Sequence, residues 1–120
     1  MTAPRTGPED EITAVNQVCL VGRLSRPPEQ RVLPSGDEMW TFRVVVDRGP
    51  GGRSRQTVDA LECAAWTARA RRLVRSWSEG DVVEVAGSLR RRFFRASGAV
   101  GSRVEVEMTS GRIIRRAASG

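Results

Sequence analysis

An all-β domain carrying a single helix, in the order βββαββ, is what this sequence predicts, and three observations predict it. Short β-branched and apolar runs recur along the chain, among them "NQVCLVGRL", "MWTFRVVVD" and "VVEVAGSLRRRFF". Clusters of Pro, Gly and Ser punctuate those runs, as in "SRPPEQRVLPSGDE" and "RGPGGRSRQ". One stretch changes period: Trp66, Ala70, Leu73 and Trp77 recur at helical spacing, with Arg69, Arg71, Arg72 and Arg75 between them. At 120 residues the chain has room for one hydrophobic core.

In order, residues 1–13 mix Pro, Gly, Thr and acids without periodicity and are expected to form a disordered N-terminal arm. The domain proper is expected over 14–116. Its first strand is 16–24, followed by a turn, a short irregular stretch and another turn. The second strand is 39–47, then a flexible basic loop at 48–56, then the third strand at 57–66. The amphipathic helix follows and ends at "SEGD". Residues 82–94 make the fourth strand, "RASGAVGS" turns the chain, and 103–114 make the fifth, leaving 117–120 as a frayed end. A helix between the third and fourth of five strands is the order of the OB-fold, a small barrel whose faces and loops bind single-stranded nucleic acid.

Charge narrows the function. The formal net charge is +6, and all 20 cationic residues are arginine. That surplus favours a polyanionic partner, and the guanidinium fork suits phosphate while also stacking on bases. The sequence has no histidine, which excludes histidine-based acid–base catalysis and histidine metal sites. No metal-ligand cluster or activated nucleophile replaces it, so an enzyme is not expected and no cofactor is implied. Cys19 and Cys63 sit in apolar runs and read as core thiols of a reducing cytoplasm. The N-terminus lacks an apolar signal region and no run of about 18 apolar residues occurs, so the expectation is a cytoplasmic protein without a membrane span.

The segment "LRRRFFR" (89–95) carries the most chemistry. In a strand, side chains alternate, so Arg90, Arg92 and Phe94 share one face while Leu89, Arg91 and Phe93 share the other. A face holding both charge and ring can grip phosphate and stack a base. Phe93, on the opposite side, is expected in the core, as is Trp77. Trp40 shares its face with Phe42, Val44 and Val46, which points to barrel burial or a subunit contact, and leaves Arg43, on the other side, as a DNA candidate. The helix arginines read as a solvated face. Loop residues Arg48, Arg53 and Arg55 sit among glycines, where a basic arm can close over a strand.

Several segments together resemble the bacterial single-stranded DNA-binding protein family over residues 16–114: "NQVCLVGRL", "PEQR", "SG" followed by Phe42, a Trp before the helix, "EGDVVEVAGSLR" and "VEVE". The resemblance implies an OB-fold homotetramer that coats single-stranded DNA without sequence preference, in replication, recombination or repair, and performs no chemistry. It puts the family's base-stacking aromatics on Trp66 and Phe94. Parity agrees, since Trp66 lies with Glu62 and away from Leu61, Cys63 and Ala65. Arg23 and Arg31 are phosphate contacts by resemblance alone, and Arg95 adjoins the same wall as Arg90 and Arg92.

The departures set further expectations. Ala60 replaces an aromatic of the family, Glu62 stands at a commonly basic position, and the 48–56 loop has no ring. Binding is therefore expected to be weaker than in the family's main members. The sequence has no acidic tail after Glu107, so tail-mediated recruitment of replication enzymes is not expected, and a short accessory member of the family is. Two alternatives stand beside this one: a protein-interaction module of the primosomal replication protein N type, and an RNA-binding OB domain.

Overall fold

The computed structural model describes residues 12–118. Strands β1 (Val18–Leu24), β2 (Glu29–Val32), β3 (Glu38–Asp47) and β4 (Val58–Ala65) precede helix α1 (Ala68–Arg75), and β5 (Val82–Ala96) and β6 (Ala99–Arg115) follow it. Five strands close in the order β1-β5-β6-β4-β3 and back to β1, through Arg23↔Val45 and Leu24↔Val44. This is the predicted OB barrel. All its pairings are antiparallel except β4 with β6, which run parallel at Cys63↔Val106 and Ala64↔Glu107. Closure depends on Gly22, where a Cβ would stand 2.2 Å from the Val45 carbonyl oxygen, so any side chain there would hold β1 off β3.

Alternation fills the barrel. Leu24, Phe42, Val44, Val83, Val85, Val106 and Met108 point inward and are buried. Helix α1 adds Ala70 and Val74, and Trp77 just beyond it meets Phe42 edge-on at 5.5 Å between ring centroids. The helix is shorter than its apolar period suggested, because Thr67 caps its start by accepting from the Ala70 N–H at 3.1 Å. Trp66 and Trp77 therefore flank the helix. Trp77 is core as expected, and Trp40 packs half-buried against the core.

The structure corrects three expectations. The stretch between β1 and β3 contains a four-residue strand, β2, which the sequence hid because all of its residues are exposed and, among the described residues, it pairs with β3 alone. Cys19 is exposed and not core: β1 turns Val18, Leu20 and Leu24 inward, and the apolar run "VCLV" conceals that Cys19 and Val21 face out. Cys63 is buried, and burial together with nearby Glu62 and Glu105 pushes its thiol up to about 12. Phe93 is not core. It does share the inward parity of Val83 and Val85, but β5 and β6 outrun the barrel, and beyond Leu89↔Val106 their hairpin stands in solvent with Phe93 71% exposed.

That hairpin runs to Ala96↔Ala99 around a two-residue turn, Ser97 and Gly98, both at positive φ. At the other end of β6, the chain is fastened by Asp81, whose buried carboxylate accepts from the Ala117 N–H at 2.8 Å, the Ser78 N–H at 2.9 Å and Arg116 Nη1 at 3.2 Å. Of the expected N-terminal arm, residues 1–11 lie outside the described residues, as do 119 and 120 of the expected frayed end. Among the described residues no helix is long and apolar enough to cross a membrane.

Candidate nucleic-acid interface

The outward residues of β3, β4, β6 and β5 form one charged face. Trp66 sits one position past β4, where the chain turns into α1, and its carbonyl accepts from Arg71 Nη1 at 2.6 Å. The Arg92 guanidinium lies 5.1 Å from the Trp66 ring centroid, a cation–π contact reaching from β5 to the rim of β4. Across the hairpin, Arg92 pairs in register with Arg103, and Phe94 with Gly101. A Cβ on Gly101 would come within 2.6 Å of the Phe94 ring, so the ring covers the bare glycine backbone, with Arg103 5.9 Å from its centroid. Trp66, Arg92, Arg103 and Phe94 thus make a continuous track in which two guanidinium groups stand between two rings.

Two arginines directly opposite each other repel. Glu105 resolves this, since it is 5% exposed and accepts from Arg92 Nε at 3.2 Å while standing 3.7 Å from Arg103 Nε. Glu107 holds both Arg90 (3.2 Å) and Arg92 (3.0 Å). On the neighbouring strands Glu62 bridges Arg43, its cross-strand partner, and Arg26 at 3.1 Å. Every one of these arginines is held by a carboxylate. A phosphate must therefore displace or share an existing charge-assisted bond, which lowers the gain per contact.

Arg26, Arg31, Thr41, Arg43, Glu62, Cys63, Arg103 and Glu105 line a cleft of about 310 Å3 beside the ring–guanidinium track. Of the residues singled out in the sequence, Trp66, Phe94, Arg90, Arg92, Arg43 and Arg31 come together on this face. The others do not. Arg23 lines a separate depression with Val21, Val45, Val58 and Val82. Arg48 is clamped to Asp59 at 2.7 Å at the base of its loop, and its hydrogen bonds hold the Asp59 carboxyl below the ordinary carboxylate range. Arg53 and Arg55 are exposed in that loop, and Arg95 lines a groove with Phe93, Phe94 and Val100 at the hairpin tip, away from the cleft. The sequence reading missed Arg26, Arg103, Glu105 and Glu107 as members of the site. The alternation in "VEVE" did signal that Glu105 and Glu107 share a face, but not that this face meets Arg90 and Arg92.

A family model described as "Single-strand binding protein family" matches residues 15–113. The chain belongs to that family. It is 33% identical over 93 residues to single-stranded DNA-binding protein 3 of Listeria innocua, covering 77% of this chain and 57% of the relative. Over 79 residues it is 33% identical to single-stranded DNA-binding protein A of Bacillus subtilis, covering 65% of this chain and 46% of the relative. The chain thus spans about half the length of the curated relatives it matches. A solved structure of a Plasmodium falciparum SSB in complex with single-stranded DNA superposes with a TM-score of 0.68 over 88% of this chain and 97% of the other, at 21% identity. At that identity the fold is what the two share.

Proposed function

We propose that the protein binds single-stranded DNA along the outer face of β3, β4, β5 and β6, as a coating protein and not as an enzyme. The observation that carries this is the track Trp66–Arg92–Arg103–Phe94: two partly exposed rings, each flanked by a guanidinium, set along one sheet face of an OB barrel. Bases of any identity stack on such rings, and arginines beside them reach the phosphates. Family membership supports the same reading. Its setting is the cytoplasmic DNA of replication, recombination or repair. A homotetramer fits the open edge of β1 and its outward Cys19 and Val21, and light scattering that gave a monomer at micromolar concentration would contradict it.

Intrinsic tryptophan fluorescence titrated with single-stranded DNA, the matching RNA and duplex DNA tests the function. The expected result is quenching by single-stranded DNA at far lower concentration than by duplex, because stacking needs splayed bases. Equal response to RNA would favour the RNA-binding reading, and no response to any strand would favour a protein-interaction module.

A further inference from the structure

Stacking and phosphate contacts alone are indifferent to base identity, yet the cleft beside the track is not built for phosphate alone. Four arginines line it, but so do the carboxylates of Glu62 and Glu105, together with Thr41, whose hydroxyl is out of contact with solvent and has no hydrogen-bond partner among the described residues. The Glu105 side chain is 6% exposed, a buried charge kept on this face by Arg92. On β3 and β4, Arg43 and Glu62 stand directly opposite each other, so donor and acceptor groups lie next to one another on the cleft wall. Arg31 at its edge is 59% exposed, and among the described residues its one ion pair is with Glu29 at 3.6 Å.

A guanidinium next to a carboxylate complements a base edge that offers an acceptor next to an amino donor. Cytosine presents N4–H2 beside N3, adenine presents N6–H2 beside N1 and N7, and guanine presents O6 beside N1–H and N2–H2. Each carboxylate oxygen has two acceptor sites, so Glu62 can hold Arg26 and Arg43 and still accept from a base amino group. Thymine and uracil have no amino group; their one donor on this edge, N3–H, is flanked by a carbonyl oxygen on each side, so a carboxylate that accepts from it also faces a carbonyl oxygen. We infer that the Arg43–Glu62 cleft is a base-reading subsite that biases binding toward amino-bearing bases, cytosine, adenine and guanine, over thymine and uracil. This rests on the single-strand reading above and adds a preference to it.

Equal-length oligo-dC, oligo-dU and oligo-dT, labelled and titrated by fluorescence anisotropy at one salt concentration, test it. The dC/dU comparison exchanges the N4–H2/N3 edge for an O4/N3–H edge on the same ring, and dT controls for the methyl. The expected result is tighter binding of dC than of dU and dT by about tenfold, the size of one good base contact. Glu62→Gln should tighten all three by releasing Arg26 and Arg43, while shrinking the dC preference to about twofold. Equal affinity for dC and dU in the wild type overturns the subsite, as does a dC preference that Glu62→Gln leaves intact. Both outcomes leave the single-strand function standing, whereas failure of all three strands to bind removes that function and the subsite together.

Discussion

Single side chains on the two sides of the barrel have separable jobs. Trp77 is buried against Phe42, so Trp77→Ala should lower unfolding stability by about 3 to 5 kcal/mol in a denaturant titration while the folded fraction keeps its DNA affinity. Asp81 makes a pH prediction. Burial pushes its carboxyl up, but the Ala117 and Ser78 N–H groups and Arg116 together outweigh that and hold it below its ordinary value. A carboxyl depressed in the folded state stabilises fully above its unfolded pKa, and that contribution is lost as pH falls through the folded pKa. Acid titration of stability should therefore show a loss beginning below about pH 4 that Asp81→Asn lacks, the variant being less stable already at neutral pH. Identical acid profiles for the two proteins would contradict the role assigned to Asp81.

In the proposed function, the β5–β6 hairpin is the element that turns a barrel into a binding face. Its outward side presents Arg90, Arg92, Phe94 and Arg103, and Gly101 gives the Phe94 ring its seat. Gly101→Val should push that ring off the sheet and weaken single-strand binding by about 1 to 3 kcal/mol, as losing one stacked base would, with little change in melting temperature. Unchanged affinity would mean that Phe94 needs no such seat. The same hairpin marks how far sequence can be read. Face parity from Val83 to Phe94 was legible because alternation is strict along an extended strand, and the arginine–phenylalanine interleaving followed from it. Where the barrel stops was not legible, since that depends on how many residues β1 and β4 offer as partners, and the parity that points Phe93 inward carries it past the last buried residue of this hairpin, Val106 opposite the exposed Leu89. The pairing of Glu105 with both Arg92 and Arg103 was hidden for a related reason, because it requires the hairpin register and not either strand alone.

At the scale of the whole molecule, the punctuated strand order and the single helical period were enough for the OB barrel, because each element's pattern agreed with its place in the sheet. What composition overstated was the availability of charge. The net charge of +6 suggests a freely cationic face, yet Arg26, Arg43, Arg90 and Arg92 there are clasped by Glu62, Glu105 and Glu107. Binding should still weaken steeply with salt, with a log–log slope of about −0.7 for each phosphate neutralised. A flat salt response with retained affinity would mean that these arginines stay with their glutamates and never meet phosphate.

The central claim is that Trp66 and Phe94, set between Arg92 and Arg103, are the stacking surface for single-stranded DNA. The most direct measurement is the affinity of the Trp66→Ala/Phe94→Ala double variant for a single-stranded oligonucleotide by anisotropy, paired with its thermal melt. Two stacked bases at about 1 to 3 kcal/mol each predict a loss between about thirtyfold and four powers of ten, with the melting temperature nearly that of the wild type. A double variant that folds normally and binds as tightly as the parent would contradict the account.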